Sequence, residues 1–187
     1  MKRVIVAVDS FKGSLTSAEA NLAVESGINA LYPECDVKKI SVADGGEGTT
    51  AAIIETLSGE WREVEVHDPL MREIKAKYGI INGGKCAVIE VASASGLTLL
   101  SNNERDPLKS SSCGFGEMID DAMNLGCREF IIGIGGSATC DAGVGMLEAL
   151  GYSFCDGNGE EIKGLCGGKL SDIKEIRDGN PLIKECL

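Results

Sequence analysis

Residues 129–141 read EFIIGIGGSATCD, in which a short apolar run leads directly into a loop rich in glycine and small hydroxyl residues. The run predicts a strand over residues 129–134, the glycines predict a loop over 135–141, and the residues beyond predict a helix to about Leu150. A strand followed by a glycine-rich loop and a helix is the repeating unit of α/β folds with parallel sheets. We therefore predict a parallel α/β architecture with this loop at the carboxyl end of a strand.

The same unit occurs twice nearer the N-terminus. Residues 3–9 form an apolar, β-branched run, which is typical of a strand buried on both faces of a parallel sheet. Thr16 and Glu19 have the spacing of a capping box and predict the start of a helix that ends before Pro33. A second strand over 37–43 and a second helix over 49–57 complete the next unit. The apolar face predicted for the first helix consists of Ala20, Ala23, Val24, Gly27, Ile28 and Leu31.

The pattern changes between residues 60 and 105. Apolar and polar residues alternate there across turns at Asp68 and at residues 82–84, which predicts half-buried antiparallel strands. His67, the only histidine, is predicted to be a strand or turn residue. Near the end of the chain only residues 170–176 predict a further helix.

These patterns predict two domains. A Rossmann-like parallel three-layer domain is expected from residues 1–59 plus about 106–150. A second α+β domain, about 60–105 and 151–187, is expected to be inserted into it.

Composition excludes several classes of protein. The formal net charge is −11 and no run of Lys or Arg occurs, so the chain lacks the basic footprint that binds nucleic acid. No apolar run approaches the roughly 20 residues that span a bilayer. The N-terminal residues do not form an export signal, which predicts a cytoplasmic protein whose eight cysteines are reduced.

Three glycine-rich loops follow predicted strand ends: DSFKGS at 9–14, DGGEG at 44–48 and GIGGSATCD at 133–141. The carboxyl ends of parallel strands form one ligand crevice, so we expect the loops to converge. Glycine allows backbone N–H groups to approach an anion, and a following helix N-terminus adds partial positive charge. The loops therefore predict phosphate binding. The candidate binding residues are Ser10, Gly13, Ser14, Gly45, Gly46, Gly135, Gly136, Ser137, Ala138 and Thr139.

Charged residues in these loops are candidates for catalysis. Asp9 is placed to accept the proton of an attacking hydroxyl, and Lys12 to neutralise a phosphoryl group or a carboxylate. Asp44, Glu47 and Asp141 are candidate Mg²⁺ ligands, because Mg²⁺ prefers one or two carboxylates together with phosphate oxygens and water. Three of these residues have a structural alternative. Lys12 would be a solvated side chain, and Asp44 and Asp141 would cap helices. The predicted catalytic set is Asp9, Lys12, Asp44 and Asp141.

Two other functions remain open at this point. Gly133, Gly135 and Ala138 match a loose G-x-G-x-x-A dinucleotide pattern, with a later strand ending near Asp156, which would suit an NAD(P)-dependent oxidoreductase. The polar side chains at 137–141 are unfavourable for the close helix packing of such a site. A non-catalytic anion-binding module would also use glycine-rich loops.

Taken together, the motifs resemble those of the type I glycerate kinase family. They are DSFKGS at 9–14, ADGGEGT at 43–49 and GIGGSAT at 133–139, with further landmarks at 90–97, 105–108 and 114–117. The resemblance implies ATP and Mg²⁺ as cosubstrate and cofactor, D-glycerate as acceptor, and a site in a cleft between two domains. It also implies 2-phosphoglycerate as product, although the sequence leaves the 3-isomer open.

Members of that family are about twice as long as this chain, so we expect it to be an N-terminal fragment. The resemblance therefore implies that the Rossmann-like domain is incomplete in this chain. Such a fragment would leave sheet edges unpaired, and association into a homo-oligomer would cover them.

Overall fold

The computed structural model describes residues 3–11 and 14–186. The strands are β1 (Arg3–Val6), β2 (Asp36–Lys39), β3 (Glu60–His67), β4 (Glu73–Ile81), β5 (Cys86–Glu90), β6 (Glu129–Gly133), β7 (Ser153–Cys155) and β8 (Glu175–Arg177). The helices are α1 (Ser17–Leu31), α2 (Thr49–Leu57), α3 (Ala92–Ser95), α4 (Cys113–Asn124) and α5 (Val144–Ala149). None of the helices in the described residues is long and apolar enough to cross a membrane.

The fold is mixed α/β, with both parallel and antiparallel pairing. The largest sheet has the order β3-β4-β5-β6, in which the first three strands are antiparallel and β6 is parallel to β5. β1 and β2 form a parallel pair, and β7 and β8 form an antiparallel pair. The predicted strand types are therefore confirmed for both regions. The β5–β6 pairing crosses the boundary predicted near residue 105, and the division into two domains stays a prediction.

The four-stranded sheet is covered by a helix on each face. Tyr78, Ile89 and Met118 lie in the main core, where α4 packs on one face. α2 covers part of the other face, and a Cβ at Gly79 would lie only 2.5 Å from Ile54 Cδ1. Glycine at this position of β4 therefore allows α2 to approach the sheet closely.

The N-terminal unit differs from its prediction in burial. The capping box of Thr16 and Glu19 is present and α1 has the expected bounds. However, most of the apolar face predicted for α1 is accessible, with Leu31 77% exposed, and Ile5 of β1 is 62% exposed. The prediction that this strand is buried on both faces is wrong, because in the described residues β2 alone pairs with β1 and the sheet ends there.

The helix predicted at residues 170–176 is also wrong. The chain forms a 3₁₀ turn over Gly167–Asp172 and then β8, which pairs with β7. Strand pairing accounts for the difference, since Glu175 and Ile176 pair with Cys155 and Phe154 and are therefore extended. His67 is the last residue of β3, as predicted.

Candidate functional site

The second and third glycine-rich loops are in direct contact. Gly135 N donates a hydrogen bond to Gly45 O at 3.0 Å. A Cβ at Gly135 would lie 2.7 Å from Gly46 Cα, and a Cβ at Gly133 would lie 2.7 Å from Gly45 O. Any larger side chain at Gly133 or Gly135 would force the two backbones apart. Glycine is therefore what allows these loops to meet at the carboxyl end of β6.

The third loop is fixed by the segment that follows β5. Ala138 N donates to Ser95 O at 2.8 Å, and Leu97 N donates to Gly136 O at 2.9 Å. Within the loop, the Ser137 and Thr139 hydroxyls are 3.0 Å apart. In the described part of the chain no hydrogen bond engages the backbone N–H groups of Gly136 and Ser137. These two successive donors are suited to an anionic oxygen.

The first and second loops line one cleft of about 330 Å³, to which Ser10, Ser14, Glu47 and Gly48 contribute. Phe11 and Leu15 form a backbone bridge that closes the first loop. Asp9 is exposed, and its Oδ1 accepts a hydrogen bond from Ser10 N at 2.7 Å. Lys12 and Gly13 lie outside the described residues, so their predicted roles stay predictions.

Asp44 and Glu47 are both exposed in the second loop. Asp44 Oδ1 accepts a hydrogen bond from Gly46 N at 3.0 Å, which forms a tight turn before the helix. The N-cap of α2 is Gly48, with a positive φ of 95° and no side-chain cap. The alternative prediction that Asp44 caps this helix is therefore wrong.

The carboxylate at the start of α2 belongs instead to Glu90, a residue that the sequence reasoning did not select. Glu90 is the last residue of β5 and is only 7% exposed. Its Oε1 accepts a hydrogen bond from Thr50 N at 2.6 Å. It is paired in register with Gly133 of β6, which places it at the same sheet edge as the loops. The available signal was an acidic residue ending an otherwise apolar strand, CAVIE.

Asp141 is buried, with 2% exposure, and its carboxylate is surrounded by protein donors. Oδ2 accepts hydrogen bonds from Ser112 N at 2.8 Å, Ser112 Oγ at 2.7 Å and Gly145 N at 3.2 Å, while Oδ1 accepts from Gly143 N at 3.1 Å. The side chain thus joins the first turns of α4 and α5. The N-cap of α5 is Gly143, so the alternative prediction that Asp141 is the N-cap is wrong. Its role as a Mg²⁺ ligand stays a prediction.

The described residues contain no group of three or more His, Cys, Asp or Glu side chains arranged to hold a metal ion by themselves. A Mg²⁺ ion bound with a nucleotide needs fewer protein ligands, because phosphate oxygens and water complete its shell. The exposed carboxylates of Asp44 and Glu47 fit such a donor set.

The dinucleotide alternative does not fit the structure. In a dinucleotide fingerprint the glycines open a helix, whereas α5 begins only at Val144, well after Ala138. The strand that ends near Asp156 is β7, and it pairs with β8 rather than with the sheet that contains β6. Asp156 is therefore not placed beside this loop as the ribose-binding carboxylate of that pattern.

Comparison with known proteins gives a consistent result. The protein-family model described as "Glycerate kinase family" matches residues 4–186. The chain is 43% identical to the Glycerate 2-kinase of Escherichia coli K12, covering 99% of the chain and 49% of that protein. It is 44% identical to the Glycerate kinase of Bacillus subtilis 168, covering 93% of the chain and 45% of that protein.

Structural comparison agrees. A crystal structure from Salmonella typhimurium LT2, assigned as glycerate kinase 2, superimposes with a TM-score of 0.82 at 40% identity. The match covers 99% of this chain and 50% of that one. The chain thus spans about half the length of the relatives that it matches.

Proposed function

Because the chain belongs to the glycerate kinase family, we propose that it contributes the glycine-rich loops of an enzyme that transfers the γ-phosphoryl group of ATP to D-glycerate. The observation that carries the proposal is the contact between the second and third loops, Gly135 N to Gly45 O. Beside it lie the N–H groups of Gly136 and Ser137, which no group in the described residues engages. Oriented backbone donors of this kind bind phosphate oxygens without cost in side-chain entropy.

We assign the proposed roles by combining the positions of these groups with the roles that the sequence predicts for them. The N–H groups of Gly136 and Ser137, with the nearby Thr139 hydroxyl, bind phosphate oxygens. Asp44 and Glu47 hold Mg²⁺, which supplies neutralisation of phosphate charge when bound. Asp9 orients the glycerate hydroxyl.

Asp141 is proposed to act indirectly. Its four accepted hydrogen bonds hold the backbone that follows the third loop and support a positioning role for it, while the metal-ligand role stays a prediction. Phosphoryl transfer depends mostly on positioning and on charge stabilisation, which makes such a residue important without contact with substrate.

Several finer points belong to the same proposal. The product is proposed to be 2-phosphoglycerate, in line with the name of the Escherichia coli relative, with the 3-isomer as the other outcome of the assay. On the family resemblance we also propose a Rossmann-like domain with an inserted second domain and a site in the cleft between them. A cytoplasmic location is proposed on the N-terminal sequence. Association of copies is proposed because it would cover unpaired sheet edges.

The test uses the chain alone and the chain joined to the C-terminal half of the Escherichia coli relative. Phosphorus NMR with ATP, Mg²⁺ and D-glycerate should show ADP and one phosphoglycerate isomer in the joined form. An Asp44→Asn version is the matched control and should lose most turnover. If the joined protein folds but produces no glycerate-dependent ADP, the proposal is wrong.

A further inference from the structure

A second cleft lies at the edge of the four-stranded sheet, on the face opposite α4. It is bounded by the start of α2 and by the surface of β3 and β4. It has a volume of about 340 Å³ and shares Gly48 with the cleft formed by the first two loops. The residues that matter for its chemistry are Thr50, Trp61, Lys75, Lys77 and Glu90. It therefore adjoins the proposed phosphate-binding loops but has a different lining.

The buried part of this cleft carries a carboxylate with spare acceptor capacity. A carboxylate can accept about four hydrogen bonds, whereas in the described residues Glu90 accepts one, from Thr50 N. Thr50 Oγ1 is also buried and has no hydrogen-bond partner there. Incompletely paired buried polar groups are costly, so a ligand that donates a hydroxyl hydrogen at Glu90 would be favoured.

The outer part of the cleft carries two cations. Lys75 and Lys77 lie on the same face of β4, because side chains two apart in a strand share a face. Both are paired with Glu63, at 3.3 Å and 3.6 Å, and their side chains are 65% and 62% exposed. Exposed pairs of this kind contribute little to stability. A ligand carboxylate would replace Glu63 as their partner at small cost.

We propose that this cleft binds the hydroxy acid, with Lys75 and Lys77 attracting its carboxylate and Glu90 accepting a hydrogen bond from one of its hydroxyl groups. The assignment rests on the proposed function and deepens it, since it separates the acceptor site from the nucleotide site. A polyphosphate carries more negative charge than a single carboxylate, so the buried Glu90 repels it more strongly, which favours the second and third loops for the phosphates of the nucleotide.

The chain has one tryptophan, Trp61, and it lines this cleft, so its fluorescence reports on the site directly. Titration of the 187-residue chain with D-glycerate should give a saturable change in Trp61 emission. Glycerol lacks the carboxylate and therefore the ionic contact with the lysines. Acetate lacks the hydroxyl groups and therefore the hydrogen bond to the charged Glu90. Each should bind about ten-fold more weakly than D-glycerate, or worse.

Two variants test the two ends of the cleft. Glu90→Gln, and separately Lys75→Gln with Lys77→Gln, should each weaken D-glycerate binding about ten-fold or more. Lys85→Gln is the matched control, since Lys85 is an exposed lysine at the opposite end of β5 and should leave affinity unchanged. The lysine substitutions are at exposed positions, so they keep the test valid if Glu90→Gln does not fold, which circular dichroism would show.

Calorimetry on the same samples separates the two proposals. If D-glycerate binds while Trp61 emission is unchanged and both variants retain wild-type affinity, the cleft assignment is overturned and the proposed function stands. If D-glycerate does not bind this chain at all, the cleft assignment is also overturned. The phosphorus NMR assay on the joined protein then decides the proposed function independently.

Discussion

Substitution of Gly135 by alanine should separate the second and third loops. The new Cβ would lie 2.7 Å from Gly46 Cα, 3.1 Å from Gly46 N and 3.2 Å from Gly45 O, and all three neighbours are backbone atoms that cannot rotate away. The loops would have to move apart, which also breaks the hydrogen bond from Gly135 N to Gly45 O.

The magnitude follows from these two effects. Overpacking costs about 1–3 kcal/mol, and a lost backbone hydrogen bond costs about 0.5–1.5 kcal/mol. The sum is roughly 1.5–4.5 kcal/mol, which for a chain of this length lowers Tm by about 3–18 °C. The affinity for phosphate or ATP should fall as well, because the donors at Gly136 and Ser137 would shift with the loop.

Thermal unfolding by circular dichroism, with and without ATP, measures both effects. Gly27→Ala is the matched control: Gly27 lies within α1, and a Cβ there would have no atom within 4 Å. It should raise stability by about 0.5–1 kcal/mol, because alanine favours a helix more than glycine does. A Gly135→Ala protein with unchanged Tm and unchanged ATP affinity would show that the loop contact does not support the site.

Three other changes test separate parts of the structure. Asp141→Asn should lower the free energy of unfolding by about 1–3 kcal/mol in urea, because an amide replaces a buried acceptor of several N–H groups; an unchanged midpoint with weaker Mg²⁺ binding would favour the metal-ligand role instead. Burial raises the pKa of Asp121, but hydrogen bonds led by that from Arg62 lower it more, so the net pKa lies below its ordinary value. Asp121→Asn should therefore be less stable than the wild type near pH 7, and the difference should vanish as the pH falls below about 4, through the lowered pKa. Iodoacetamide at pH 7.5 should label the exposed Cys140 but not Cys113, because burial and nearby carboxylates raise the pKa of the Cys113 thiol to about 12. Mass spectrometry would identify the labelled cysteine. Bound ATP should slow the labelling of Cys140.

Local signals predicted the units of the fold well. The capping box of Thr16 fixed the start of α1, and the apolar period after the second loop gave α2 with its observed bounds. Glycine spacing predicted where the loops lie, and strand order implied that they would converge. These features depend on a few neighbouring residues, which is why a sequence pattern is enough to find them.

Features that depend on distant contacts were missed. The role of Glu90 depends on α2 lying over the end of β5, and the burial of Asp141 depends on Ser112 lying beside it. The exposure of Ile5 and Leu31 depends on whether another part of the protein packs over them, and the periodicity of the sequence does not reveal this. Lys12, a predicted catalytic residue, lies outside the described residues.

The contacts that assemble the candidate site also have a kinetic consequence. β3 and β4 are joined by a short turn, whereas β6 pairs with β5 in a register that joins Glu129 to Cys86, 129 − 86 = 43 positions apart. Gly135 and Gly45 are more distant still, at 135 − 45 = 90 positions. Contacts of long sequence separation must overcome a larger loop-closure entropy and tend to form late in folding. The β3–β4 hairpin is therefore expected to form before the glycine-rich loops meet, so anion binding in a refolding experiment should recover after the hairpin has formed.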